Sequence, residues 1–268
     1  MQSRVAIVVP VYQKTLKKSE VQSLELLKKH LHKYPIIFLA SKKYTPPKEL
    51  FEIENSTWKF FDEYYFTSVK AYSELLLTSD FYKRFLKYSY IFIYQLDGLV
   101  VNSDLDYWCN LGYSYIGAPW TYSFTSLLTH PKHKFMNITG NGGVSLRKVK
   151  DHYDILEELE SEGATNTSSL KDLIQSLLTL RSNKIWLKTN PSEYPFNEDG
   201  FWSLEAPKYK NSFTVAPVDI AAAFCLEKSP KRLSNKYLHG KLPFAAHGWE
   251  KYEPSWWEEK LNDLLSTE

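Results

Sequence analysis

Cysteine is scarce. The 268 residues hold two, Cys109 and Cys225, far apart and in no metal-like spacing, which excludes a disulfide scaffold and a structural zinc site. Net charge is scarce as well: 33 Lys and Arg against 31 Asp and Glu leave +2. No global field results, so nucleic acid is not suggested as a partner. Long apolar runs are missing. None approaches a membrane span, and Met1 leads through three polar or charged residues straight into a strand-like run with no leader-type apolar core. The expectation is a soluble, cytoplasmic protein. No Walker-type Gly-Lys-Ser/Thr loop occurs, which argues against a kinase or ATPase. No internal repeat is visible.

Aromatic residues, by contrast, are plentiful: 16% of the chain, with 8 Trp and 19 Tyr. Such a load fills a core or supplies flat faces for sugar rings or bases. Basic residues thicken at Lys14, Lys17, Lys18, Lys28 and Lys29, and again between Lys228 and Lys241. Either patch reads as a solvated face or as a weak attractor for diphosphates or anionic lipid. At 31.3 kDa the chain fills one large α/β domain or two small ones.

Residues 4–12, RVAIVVPVY, form a near-continuous apolar run closed by Pro10, as suits a central parallel strand. Val21, Leu24, Leu27 and Leu31 then recur at helical spacing. Tyr34-Pro35 breaks that helix, and residues 36–40 make a second buried strand, giving a β-α-β unit with a right-handed crossover. Residues 58–61 read as a short strand, and 68–77 and 80–86 as helices with plausible N-caps. A buried strand over residues 90–94 follows and ends abruptly in Gln95-Leu96-Asp97-Gly98. A strand that delivers an acid at its carboxyl end is how an open α/β sheet builds a ligand site. Further on come a short strand into Pro119-Trp120 and an aperiodic stretch over 121–137. A helix over 148–161, a polar linker over 163–169 and a helix over 170–180 come next, then a turn at 197–202 and a closing helix over 255–265.

Four clusters carry chemistry. Asp97 is either a turn former or a hard oxygen ligand for Mg2+ or Mn2+. Gly140-Asn141-Gly142-Gly143 is either a hairpin turn before residues 144–147 or a backbone platform that a sugar can lie against. Glu198-Asp199 compensates a helix dipole or supplies a carboxylate general base beside an aromatic wall, an effect worth ~10²–10⁴-fold. His247 is a surface or core histidine, or an imidazole ligand to a divalent metal.

Their order is more specific than any one of them. The sequence from Arg4 to Trp249 resembles the GT-A fold of nucleotide-sugar glycosyltransferases. Within it, YIFIYQLDGLV, YIGAPW, GNGGVSLR and NEDGFW together are similar to a bacterial family of largely uncharacterised, predicted transferases of that kind. The resemblance implies an α/β, Rossmann-type mixed sheet flanked by helices, in a single GT-A-like domain over 1–268. Residues 1–104 would form its nucleotide-binding half, and 105–268 its donor-sugar and acceptor half. It implies that Pro10, Val11 and Tyr12 line the nucleoside pocket and that Gln95 sits near the ribose. Asp97 and His247 would ligate a divalent metal, Mn2+ or Mg2+, at the donor diphosphate, with Gly98 beside them. Asn141, Gly142 and Gly143 would face the donor sugar. Asp199 would be the base of an inverting, single-displacement transfer, Glu198 would position acceptor or sugar, and Trp120 and Trp202 would stack on the acceptor. One departure stands out: Gln95 occupies the place of the first acid of the family's Asp-x-Asp motif.

The function so implied is transfer of a sugar from a nucleoside diphosphate donor, a uridine nucleotide by fold analogy, to a glycan or lipid-linked hydroxyl. A lipid-linked or capsular acceptor leaves peripheral association with the inner face of a membrane open. Two other readings compete: a non-catalytic carbohydrate- or nucleotide-binding protein on the same fold, and a sugar nucleotidyltransferase. The last would want a glycine- and arginine-rich loop straight after the first strand, where Val11-Tyr12-Gln13-Lys14 stands instead.

Overall fold

Every side chain of Val5–Pro10 (β1) is buried, on one face of a sheet or the other, which is why the run shows no polar alternation. A computed structural model describes residues 4–51, 53–120, 138–165, 191–194 and 196–266. After β1 come α1 (Lys18–Leu31), β2 (Ile36–Ser41), α2 (Lys48–Phe51), β3 (Ser56–Phe61), α3 (Val69–Leu75), α4 (Ser79–Lys83), β4 (Tyr90–Tyr94) and β5 (Gly98–Val100). Then follow α5 (Leu105–Asn110), β6 (Tyr115–Ile116), β7 (Pro119–Trp120), β8 (Ile138–Thr139), β9 (Val144–Lys148) and α6 (Val149–Thr165). The last are α7 (Glu198–Gly200), α8 (Ala206–Tyr209), α9 (Val218–Phe224), β10 (Cys225–Leu226), α10 (Pro230–Leu238), β11 (Ala245–His247) and α11 (Pro254–Ser266).

Six strands make the main sheet, in the order β3-β2-β1-β4-β9-β6. β1 pairs in parallel with β2, Ile7 opposite Ile36, and with β4, Val5 opposite Tyr90. β9 then runs antiparallel to β4, Phe92 opposite Leu146, so the sheet is mixed. Val5, Ile7, Val9, Tyr90 and Phe92 face one core, shared with Leu24, Leu27 and Leu31 of α1. Ala6, Val8, Ile91 and Ile93 face the other, shared with Phe81 and Phe85 and with Ile155, Leu156 and Leu159 of α6. Each fully buried Leu or Phe contributes about 1.5–3 kcal/mol relative to exposure, and α1 and α6 are held to the sheet by three such residues apiece. Both cysteines are free and buried.

The functional end of the sheet is where β4 stops. Gly98 N–H donates to the Gln95 carbonyl (2.8 Å), closing a tight turn through Leu96 and Asp97. The chain leaves that turn as β5 and joins a second, three-stranded sheet ordered β10-β11-β5. Gly98 itself is packed rather than exposed to a ligand. A Cβ there would lie 2.8 Å from Val144 Cγ2 and 2.9 Å from the Gln95 carbonyl oxygen, so only glycine fits where the two sheets part.

The glycine stretch at 140–143 does not close a hairpin onto residues 144–147. β8, before it, pairs with β7, whereas β9, after it, pairs with β4 and β6, so the glycines span two sheets. Residues 197–202, expected as a turn, form a helical turn that continues into a π-helical one over Phe201–Glu205. The helix α6 runs through Thr165, so the first three residues of the linker expected over 163–169 are helical, and the rest of it lies outside the described residues. The aperiodic stretch at 121–137 and the helix expected at 170–180 lie outside the described residues. Among those described, no helix is long and apolar enough to cross a membrane.

Candidate active site

Two hollows meet at Gln95. The larger, about 500 Å3, is floored by Asn141, Gly142 and Gly143 and walled by Glu198, Asp199, Glu227 and His247. Trp120, Phe196, Val69 and Tyr72 border it on the other side. The smaller, about 120 Å3, lies between the end of β1 (Pro10, Val11, Tyr12), the start of α1 and the turn at Gln95, Leu96 and Asp97. Pro10 and Val11 are buried, and Tyr12 reaches out with 61% of its surface exposed. The larger volume falls in the range of small-molecule sites.

At the junction the register of the second sheet does the positioning. β11 runs antiparallel to β5 with His247 opposite Gly98. That pairing sets the imidazole beside the Gln95–Asp97 turn, 150 residues away in sequence. His247 Nε2 lies 3.3 Å from Asp97 Oδ1 and 3.3 Å from Gln95 Oε1. On its other edge, Nδ1 lies 2.9 Å from Asn141 Nδ2 and 3.4 Å from Glu227 Oε1. Asn141 is fixed in turn, since its Oδ1 accepts from the backbone N–H groups of Gly143 (3.0 Å) and Val144 (3.3 Å). Its own backbone takes a φ of 68°, a left-handed conformation that Asn tolerates.

Burial alone would lower the pKa of His247. Hydrogen bonds to Asp97 and Glu227, and the charges of both, outweigh it and raise the pKa to about 9. The carboxylates respond reciprocally. Burial opposes ionisation of Asp97 and of Glu227, but the hydrogen bond to His247 holds both below the ordinary carboxylate value. Asp97 keeps half of its side-chain surface open (53%) while ringed by protein on the remaining sides.

Among the described residues, no three His, Cys, Asp or Glu side chains gather as a ready metal site. The donor set at the junction nevertheless suits a hard divalent ion. Asp97 Oδ1, Gln95 Oε1 and His247 Nε2 converge, and the two spacings of 3.3 Å approach the ~3 Å edge of an octahedron whose bonds are ~2.0–2.1 Å. Gly143 keeps the place open. A Cβ on it would sit 2.2 Å from His247 Nε2 and 2.6 Å from Gln95 Oε1.

The opposite wall is built on Gly142. Asp199 lies partly open to the cleft, and its carboxylate accepts from the backbone N–H of Gly200 (2.8 Å), with the backbone of Gly142 beside it. Burial, followed by the charge of Glu198, raises its pKa to about 7 against those backbone contacts and the Arg147 charge. Glu198 is buried and ion-paired to Arg147, Nη2 to Oε1 at 2.8 Å. It also accepts from Ser73 Oγ at 3.0 Å.

Trp120 and Trp202 part company here. The Trp120 indole lies flat against Gly140, where a Cβ would meet the ring at 2.1 Å, and it borders the cleft. Trp202 has no exposed surface. It is packed among His152, Tyr82 and Phe213, so it offers no face to an acceptor and the stacking expected of it is corrected: it is a core residue. Phe196, 48% exposed at the cleft edge, is the aromatic of that segment that does reach the opening.

Two groups at the site were not among those expected there: Arg147, behind the cleft wall, and Glu227, which lines it. Arg147 carried a signal, because a charged residue within a strand buried on both faces must be paired. Glu227, which lines the cleft beside His247, follows an alanine-rich helix and carried none, whereas Lys228, next to it in the lining, opens the basic stretch read as a solvated face or a weak attractor for diphosphates.

This is a GT-A-type α/β fold, a mixed six-stranded sheet flanked by helices. By sequence, residues 55–247 match the model of a family described as "Protein of unknown function (DUF5672)", more than half of the chain, and the chain belongs to that family. No curated protein matches it. Among solved structures it is similar to the galactosyltransferase LgtC in complex with donor and acceptor sugar analogs, with a TM-score of 0.51 at 11% identity over 97% of this chain and 95% of that one. It is also similar to mouse xyloside xylosyltransferase 1 in its apo form, with a TM-score of 0.49 at 10% identity, covering 92% and 98%. At such identities the likeness to LgtC is one of fold.

Proposed function

We propose that the protein is a glycosyltransferase that moves a sugar from a nucleoside diphosphate donor, a uridine nucleotide by analogy of fold, to a hydroxyl of a glycan or lipid-linked acceptor. The observation that carries this reading is the meeting of the two hollows at the Gln95–Asp97 turn. A smaller hollow at the end of a central parallel strand opens past an acid and an imidazole into a cleft with a glycine floor and a carboxylate wall. Ligands in open α/β sheets bind at such carboxyl ends.

In this reading Pro10, Val11 and Tyr12 hold the nucleoside, and Gln95 faces the ribose side of the turn. Asp97, His247 and the Gln95 side-chain amide oxygen (Oε1) would hold a divalent ion, Mn2+ or Mg2+, with Glu227 orienting the imidazole through Nδ1. When bound, that ion supplies Lewis-acid stabilisation of the departing diphosphate's charge. Asn141, Gly142 and Gly143 let the donor sugar lie against backbone, and Trp120 flanks the acceptor. Asp199 accepts the acceptor's hydroxyl proton as the bond to the anomeric carbon forms, a single displacement that inverts the centre. Its raised pKa, about 7, makes it a matched base at neutral pH.

A thermal-shift panel of nucleotide sugars and nucleoside diphosphates, with and without Mn2+, tests the reading. Stabilisation by a nucleoside diphosphate that depends on metal is the expected result. No stabilisation by any member of the panel would sink it.

A further inference from the structure

The Arg147 side chain has no exposed surface, although a guanidinium is among the costliest groups to bury. Four of its five N–H donors are spent on neighbours. Nε donates to Ser145 Oγ (3.1 Å) and Nη1 to Tyr82 Oη (3.0 Å). Nη2 donates to Glu198 Oε1 (2.8 Å) and reaches the Gly142 carbonyl (3.4 Å). A buried ion pair is weak evidence for stability, since apolar replacements of the same volume often do as well. A reason for this one lies in what it touches.

Gly142 is held by its carbonyl, which accepts from Arg147 (3.4 Å) and from Ser145 Oγ (3.2 Å), and its backbone lies beside the Asp199 carboxylate. There is no space for a side chain on it either, because a Cβ would fall 2.0 Å from Glu198 Oε1. Glu198, the residue before Asp199, is pinned a second time by Ser73. Its N–H donates to Ser73 Oγ (2.6 Å), and that hydroxyl donates to its Oε2 (3.0 Å). One guanidinium therefore joins β9, the glycine floor and the first turn of α7, and it does so from behind the cleft wall.

We propose that Arg147 is a positioning residue for the transfer: it fixes the Gly142 peptide and Glu198 together, so that the Asp199 carboxylate is held at one place and angle above the glycine floor. This rests on the glycosyltransferase reading for its chemistry but not for its geometry. Arg147 does not touch the substrate space through a charged atom of its own. Misplacing a reacting group by ~1 Å costs about 10²-fold, which is the scale of effect to expect when the anchor is loosened. The charged and titratable groups around Asp199 are Glu198 on its own turn, Arg147 from β9, Tyr115 from β6 and Tyr194 just ahead of α7.

Two variants of the full chain test it. Arg147→Lys keeps the charge but cannot satisfy four acceptors at once, and Tyr82→Phe removes one anchor and no charge. The readouts are release of nucleoside diphosphate from the nucleotide sugar that stabilises the protein, and the titration of the Asp199 carboxyl by carbon NMR, assigned with Asp199→Asn. Expected for Arg147→Lys are a kcat lower by roughly 10- to 100-fold, a donor KM within a fewfold of the parent, and a displaced Asp199 titration. Tyr82→Phe should move each in the same direction by less, and it carries the test alone should Arg147→Lys fail to fold. Folded variants with a lower Tm but the parent's kcat and titration would overturn the proposal, because a purely structural pair predicts that pattern. If no nucleotide sugar binds the parent protein, the glycosyltransferase reading fails, and the NMR titration still decides whether Arg147 places Asp199.

Discussion

His247 stands opposite Gly98 in the antiparallel pairing of β11 with β5, and this register brings its Nε2 to 3.3 Å from Asp97 Oδ1. A shift of one residue would turn the imidazole to the other face of the small sheet. The pairing is locked on both sides, by Ala245 opposite Val100 and by a Gly98 site too crowded for any side chain. The contact between the acid and the imidazole is thus a property of the fold. It has a consequence for the proton on Nε2. With a pKa raised to about 9, Nε2 keeps its proton at neutral pH, directed at Asp97, and a metal must displace that proton.

Metal affinity should therefore rise with pH up to about 9 and level off above it, one proton being released per ion bound. Isothermal titration of Mn2+ in two buffers of different ionisation enthalpy reads the proton directly. Asp97→Asn and His247→Ala should both abolish metal-dependent stabilisation by nucleoside diphosphates. The ring's folded-state pKa is raised, so its ion pairs stabilise the fold fully below pH ~6.5 and that contribution is lost as pH climbs through 9. A pH-independent Mn2+ affinity between pH 6 and 9 would contradict this assignment.

Gln95 makes a sharper test, because it changes a ligand without disturbing packing. Its Oε1 already faces His247 Nε2 at 3.3 Å, and Asp is shorter by one methylene but charged. Gln95→Asp should bind Mn2+ more tightly, by roughly tenfold or more, since a second carboxylate replaces a neutral carbonyl at a hard cation. Competition against a fluorescent chelator measures it. Unchanged or weaker binding would mean that the residue at 95 does not reach the ion.

The two tryptophans expected to serve an acceptor should now separate cleanly. Trp202→Ala empties a fully buried site between Tyr82, His152 and Phe213 and should cost about 3–5 kcal/mol of stability. Trp120→Ala removes a ring at the cleft border that rests on Gly140. It should leave Tm within a few degrees while raising the KM for acceptor. Urea unfolding and steady-state kinetics of the two variants distinguish the roles.

That separation shows where the sequence was readable. The apolar run of β1, the strand-end acid at Asp97 and the triple glycine at 140–143 could be read because each imposes a local pattern: burial on both faces, an abrupt stop, and space for backbone. Trp202 was misread because adjacency to Glu198 and Asp199 in sequence says nothing of direction. Three residues on, along a helical path that passes into a π-turn, the side chain points into the core. The partnership of Glu227 with His247 was not readable at all. It arises from the parallel pairing of β10 with β11, Leu226 opposite Ala246, and no local pattern predicts which two-residue strand finds which neighbour.

Asp199 offers the most direct test of chemistry, and its two states pull stability and activity in opposite directions. Burial, together with Glu198, raises its pKa to about 7, against ~3.9 for an unperturbed Asp. Between those values the folded chain holds a proton that the unfolded chain has lost, so this group makes the fold less stable as pH rises from about 4 to 7. Asp199→Asn removes the penalty and should stabilise the protein at pH 8, seen as a higher Tm at pH 8 and little change at pH 4. Catalysis runs the other way. The parent's kcat should rise through pH ~7 as the carboxylate forms, and Asp199→Asn should lower it by ~10²–10⁴-fold while donor binding, measured calorimetrically, is kept. A variant with parental turnover would remove Asp199 as the base and, with it, the case for an inverting displacement. Loss of donor binding along with turnover would assign the carboxylate to holding the donor.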